Sequence, residues 1–118
     1  MTNYIWITAQ KEMVHYYPDA PDEVDFLRNI HRHLFKFKVY IEVFHDDRDI
    51  EFIMFKREVE EWLEDVKQKL LSKSCENMAD YLAKKIKAKY PDRKIKISVS
   101  EDGENGAIKS YPKDLNID

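Results

Sequence analysis

From His31 to Val43 every second residue is a histidine or a large apolar side chain: His31, His33, Phe35, Phe37, Val39, Ile41 and Val43. Lys36, Lys38, Tyr40 and Glu42 fill positions between them. Successive side chains of a strand point to opposite faces, so a period of two predicts one unusually long strand over Ile30–His45, apolar on one face and polar on the other. Both histidines fall on the apolar face, at the end where the strand begins. The fold must give this strand a partner and a cover.

Tyr4–Val14 supplies the partner. Ile5, Ile7, Ala9 and Met13 share one face of a second strand, and Tyr4, Trp6 and Val14 lie on the other. If the alternation runs unbroken, His15 shares the face of Ile5 and Met13, whereas a bulge would turn it away. Antiparallel pairing then brings His15 alongside His31 and His33. Three neutral imidazoles with an open fourth position are the ligand set of a catalytic zinc. Taken alone, an H-x-H on a strand is incidental more often than it is a ligand pair.

The stretch between the two strands, Tyr17–Asp25, reads as a loop because Pro18 and Pro21 interrupt any ladder. Its carboxylates Asp19, Asp22, Glu23 and Asp25 are ordinary loop residues one by one. After the polar turn His45–Asp49 the period changes. Phe55, Val59, Trp62, Val66 and Leu70 form the stripe of an amphipathic helix over Phe52–Leu71. Ser74 is a candidate N-cap for a second helix, with Glu76 in its first turn. Met78, Ala79, Leu82, Ile86 and Tyr90 face inward there, and Pro91 ends it. Ile95, Ile97 and Val99 restore the period of two, and Glu101 closes that strand. Asp102–Gly106 is a turn, and Ala107–Tyr111 a last short strand. Two strands, two helices and two strands give an α+β class: an antiparallel sheet with helices on one face.

At 118 residues the chain predicts one domain over 1–112, with a polar tail over 113–118. The net charge of −3 argues against a general nucleic-acid coat. The basic run Lys84, Lys85, Lys87 and Lys89, continuing to Arg93, Lys94 and Lys96, reads as a solvated helix face, since no aromatic platform interleaves it. No secretory or membrane-spanning segment is evident, and Cys75 has no partner for an internal disulfide, so a reducing, cytoplasmic setting is expected. Cys75 itself reads as a small residue comfortable at a helix start. Only Gly103 and Gly106 occur, which excludes a glycine-rich phosphate loop. Glu101 is a carboxylate before a sharp turn. Held rigid, it could accept two parallel N–H bonds from the edge of a pterin or guanine ring.

In order and spacing these pieces resemble the tetrahydropterin synthase family, the 6-pyruvoyl- and 6-carboxy-tetrahydropterin synthases. The resemblance runs from about Trp6 to Ser110. It rests on His15 closing the first strand and on His31-Arg32-His33 in place of the family's H-G-H. Glu51-Phe52 leads into the first helix, Lys73-Ser74-Cys75-Glu76-Asn77 opens the second, and Glu101 ends the third strand. It implies a T-fold (tunnelling fold), whose sheets join into an oligomeric barrel, as a trimer or a hexamer of stacked trimers. It also implies zinc (Zn2+) on His15, His31 and His33, and a pterin or purine-like small molecule anchored by Glu101 between subunits. The implied activity is that of a lyase, as in queuosine biosynthesis; the alternative is a non-catalytic T-fold that binds or sequesters such a ligand. The sequence departs from the family at Arg32, which replaces a glycine, and at Leu27, where the 6-carboxy enzymes carry a cysteine. Lys67 and Gln68 replace an Asp-His pair. An acidic residue substitutes for the cysteine in one branch, which makes Asp25 or Glu23 the expected catalytic base.

Overall fold

A computed structural model describes residues 1–66 and 73–115. Four strands, β1 (Asn3–His15), β2 (His31–Val43), β3 (Ile95–Glu101) and β4 (Asn105–Tyr111), form one antiparallel sheet in the order β1-β2-β3-β4. Two helices, α1 (Phe52–Glu64) and α2 (Cys75–Lys89), lie between β2 and β3 in sequence. The expected α+β class and antiparallel sheet are therefore observed. Lys67, Gln68, Leu70 and Leu71, with the end of the polar tail from 116, fall outside the described residues.

The β1–β2 register settles the position of His15. It runs without a bulge from Asn3 opposite Val43 to His15 opposite His31. Ile7, Ala9, Met13 and His15 are consequently buried, while Thr8, Gln10, Glu12 and Val14 are exposed. Phe35, Phe37, Val39 and Ile41 on β2 meet Ile95, Ile97 and Val99 on β3 across the same inner face. The helices cover that face. α1 contributes Phe55, Val59 and Leu63, and α2 contributes Met78, Ala79, Leu82, Ala83 and Ile86. Leu63, rather than the expected Trp62, continues the buried stripe of α1, and Trp62 packs at its margin. Ser74 caps α2 by accepting the Asn77 N–H at 3.1 Å.

Three local readings change. Asp22–Arg28 is not plain loop but two short 3-10 turns joined at a kink at Val24, with Arg28 hydrogen-bonded back to the Ala20 carbonyl and Asp22. The turn after β3 is tighter than its composition suggests. Asp102 and Gly103 both take positive φ (59° and 75°), the pattern of a type I′ turn, and β4 already begins at Asn105. A Cβ on Gly106 would stand 2.0 Å from the Val99 carbonyl oxygen, so this close strand approach requires glycine. Finally, the basic run is not uniformly solvated. Lys87 is buried and donates to the backbone carbonyls of Arg93 and Pro112, tying the end of α2 to the segment after β4. No helix among the described residues is long and apolar enough to cross a membrane.

A half-buried ion pair fixes the far end of the sheet. Arg93 donates to Asp49 at 2.6 Å and to the Glu42 carbonyl at 3.2 Å, with its guanidinium 3.9 Å from the Phe44 ring centre. The Arg93 bond, followed by the Phe44 N–H, holds the Asp49 carboxyl below its ordinary value. A depressed carboxylate stabilises the fold fully above its unfolded pKa and ceases to do so as pH falls through the folded one. Thermal melts of wild-type protein are expected to lose stability as pH drops below about 4. Arg93→Met is expected to be less stable at neutral pH and to show a shallower loss over that window. Equal acid slopes for the two proteins would contradict the assignment.

Candidate metal centre

The inner face of the sheet ends in a cluster of imidazoles because the two long strands start and stop together. His15 is the last residue of β1 and faces His31, the first of β2; His33 lies two positions further on. Glu101, the last residue of β3, sits opposite Phe35 and so diagonal to His33 on the same face. The rings lie 4.4 Å (His15–His31), 5.1 Å (His15–His33) and 4.8 Å (His31–His33) apart between centres, edge to face. Phe35 forms the floor, 5.1 Å from His15 and 5.8 Å from His33. One ligand atom from each of His15, His31, His33 and Glu101 lies within 4.8 Å of all the others.

Two of the rings are held from behind. His31 Nδ1 is 2.8 Å from the Asn29 carbonyl, and His33 Nδ1 is 2.7 Å from Asp102 Oδ2. Acceptors behind the His31 and His33 rings place a proton on Nδ1, so that each ring in its neutral form turns an Nε2 lone pair to the cluster. All three Nε2 atoms are buried without a hydrogen-bond partner. Burial and the adjacent His31 ring keep the His15 pKa below the ordinary imidazole value, although Glu101 and the Lys73 backbone pull it upward. A neutral His15 is the ligating form.

Glu101 meets this cluster directly. Its Oε2 lies 2.8 Å from His33 Nε2 and 3.5 Å from His15 Nε2. The first distance suits a hydrogen bond, yet His33 Nε2 has no partner of acceptable geometry. With the His33 proton on Nδ1, a carboxylate oxygen and an imidazole lone pair face each other, an arrangement that a shared cation relieves. The donor set of three imidazoles and one carboxylate fits zinc. Leaving three buried imidazole acceptors unpaired would cost about 1–3 kcal/mol each without such a partner.

A cavity of about 580 Å³ opens beside the cluster, with His15, His31 and Glu101 in its wall. Tyr16, Tyr17 and Leu27 line one side, and Lys73 to Asn77 at the start of α2 line another. Its volume is that of a small-molecule site. Cys75 is in this wall, where burial, then Glu101 and Glu76, push its thiol up to about 11. Glu23 and Asp25 stand elsewhere: both are exposed on the 3-10 segment, outside the cluster and the cavity wall. Leu27 faces the cavity instead. Asp102 was hidden in the sequence as a turn former, and only its adjacency to Glu101 hinted at a role.

No protein-family model matches the chain, and no curated protein is similar to it at a significant level.

Proposed function

We propose that the chain is a zinc-binding protein of the tetrahydropterin synthase type that takes a pterin or purine-like small molecule in the cavity beside His15, His31, His33 and Glu101. The observation that carries this reading is the convergence of three buried, unpartnered Nε2 atoms on one carboxylate. Zinc bound there would act as a Lewis acid on an oxygen of the ligand. Tyr16, Tyr17 and Leu27 would pack against a flat ring, and Glu101, the fourth donor of the ligand-free site, would turn to accept its paired N–H groups and leave that position to a ligand oxygen. A T-fold assembly is supported by the element order and by the outer edges of β1 and β4, which pair with no strand among the described residues. Exposed strand edges are the surfaces through which sheets extend into a neighbouring copy. The reading therefore includes a homo-oligomer, a trimer or hexamer.

Within this reading the ligand is held rather than turned over, because neither expected base, Asp25 or Glu23, lies in the cavity wall. Cys75 stays a neutral thiol, and Asp25 and Glu23 point into solvent, from where they would serve only a neighbouring subunit's cavity. A lyase of the 6-carboxy- or 6-pyruvoyl-tetrahydropterin type is the catalytic form of the same proposal. Native mass spectrometry of the purified protein, with zinc and dihydroneopterin triphosphate added, separates the two. An oligomer that retains zinc and the unaltered compound supports binding, and release of a triphosphate-free product supports the lyase. A monomer that takes up neither zinc nor the compound would overturn the proposal.

A further inference from the structure

We infer that Asp102 is a positioning residue for the metal centre, fixing the orientation and tautomer of His33. This rests on the metal reading of the cluster. Asp102 is at the first central position of the β3–β4 turn with φ of 59°, a conformation that an L residue enters at a cost. Its backbone N–H donates to the Leu34 carbonyl at 2.8 Å, and its Oδ1 accepts the Leu34 N–H at 2.8 Å. These two bonds clamp β2 one residue beyond His33 and account for a turn residue's structural duty. They leave Oδ2 free, and it is directed at His33 Nδ1 at 2.7 Å. An ionised carboxylate only accepts, so this bond requires the proton on Nδ1. In its neutral, ligating form His33 then presents the Nε2 lone pair to the cluster, on the side where Glu101 Oε2 stands 2.8 Å away.

The consecutive residues Glu101 and Asp102 thus serve opposite sides of one imidazole. Glu101 on the last strand position faces the inner cluster, and the left-handed backbone at Asp102 swings its carboxylate round to the outer nitrogen. Neither aspartate at a strand position nor glutamate at the turn would reproduce both. The carboxylate behind a ligating histidine raises its basicity and restricts ring rotation.

Glycine tolerates the left-handed φ without strain. Asp102→Gly loses the Oδ1 bond to the Leu34 N–H, so the metal-free protein is expected to melt somewhat lower, and its Zn2+ affinity is expected to fall by roughly 10- to 100-fold, measured by competition with a chromogenic chelator. Asp102→Asn has a single acceptor oxygen: set on the Leu34 N–H it keeps that bond and turns its NH2 toward His33 Nδ1, so its Zn2+ affinity is expected to fall as in Asp102→Gly while its melting temperature stays near wild type. Long-range 15N–1H spectra of the metal-free chains provide a readout that fold stability does not move. Neutral His33 should carry its proton on Nδ1 in wild type, on Nε2 in Asp102→Asn, and on either nitrogen in exchange in Asp102→Gly. Equal Zn2+ affinity in wild type and Asp102→Gly, or an Nε2–H on wild-type His33, would overturn the inference alone. A wild-type protein that binds no Zn2+ would overturn the metal reading and this inference with it.

Discussion

Wild-type protein is expected to gain thermal stability from zinc, and His31→Ala to abolish that gain. A ligand that binds only the folded state stabilises it by about 2.7 kcal/mol at one hundred times its Kd. For a domain of this length that is on the order of 10 °C in Tm, taking roughly 3–6 °C per kcal/mol. His31 is the informative ligand to remove, since it is half-buried at the strand start and its loss opens no core cavity. The residual site would have two imidazoles and a carboxylate. Melting curves of both proteins, with zinc and with a chelator, check the result. The variant curves should coincide, and the wild-type curves should separate. A variant that keeps the full zinc-dependent shift would show that the metal binds elsewhere.

Phe35→Ala is expected to cost about 3–5 kcal/mol, a large part of the roughly 5–15 kcal/mol available to a domain of this size. Phe35 is fully buried, lies opposite Glu101 across the β2–β3 ladder, and supports the rings of His15 and His33. Its removal therefore acts twice: it opens a void in the core and lets two rings of the cluster tilt. Phe37→Ala, two residues along and equally inner-facing, removes the same side chain without touching a histidine. Chemical denaturation should give comparable losses for the two variants. Zinc affinity should fall further for Phe35→Ala than for Phe37→Ala, and equal affinities would show that the floor under the rings is dispensable.

The sheet and its histidines were legible because a period of two leaves little freedom. Once Phe35 to Val43 faces inward, His31 and His33 must do so as well, and an unbroken β1 carries His15 to the same place. The helices were legible for a similar reason, although Trp62 and Leu63 lie a single residue apart on the stripe. Leu63 follows Val59 by four residues, as Val59 follows Phe55, and is buried, while Trp62 packs at the margin. Backbone conformation was harder to read. The positive φ of Asp102 turns an ordinary Asp-Gly pair into the support of His33, and nothing in the alternation of β3 announces that. The 3-10 geometry of Asp22–Arg28 likewise depends on the Arg28 side chain reaching back to Ala20. That contact carries Glu23 and Asp25 to the surface and leaves Leu27 at the cavity.

The cluster also has a temporal side. His15 and His31 meet as soon as the β1–β2 hairpin closes, whereas Asp102 joins His33 across 69 residues of sequence. Contacts that distant form only after the intervening chain has paid its loop-closure entropy, so they belong to the late part of folding. A nascent hairpin offers a cation only imidazoles. The carboxylate that completes the donor set and the one that steadies His33 arrive together, in consecutive residues, when β3 docks. On the proposed metal reading, full-strength capture is expected only of the finished sheet, and its rate of appearance during refolding would time the docking of β3 on β2.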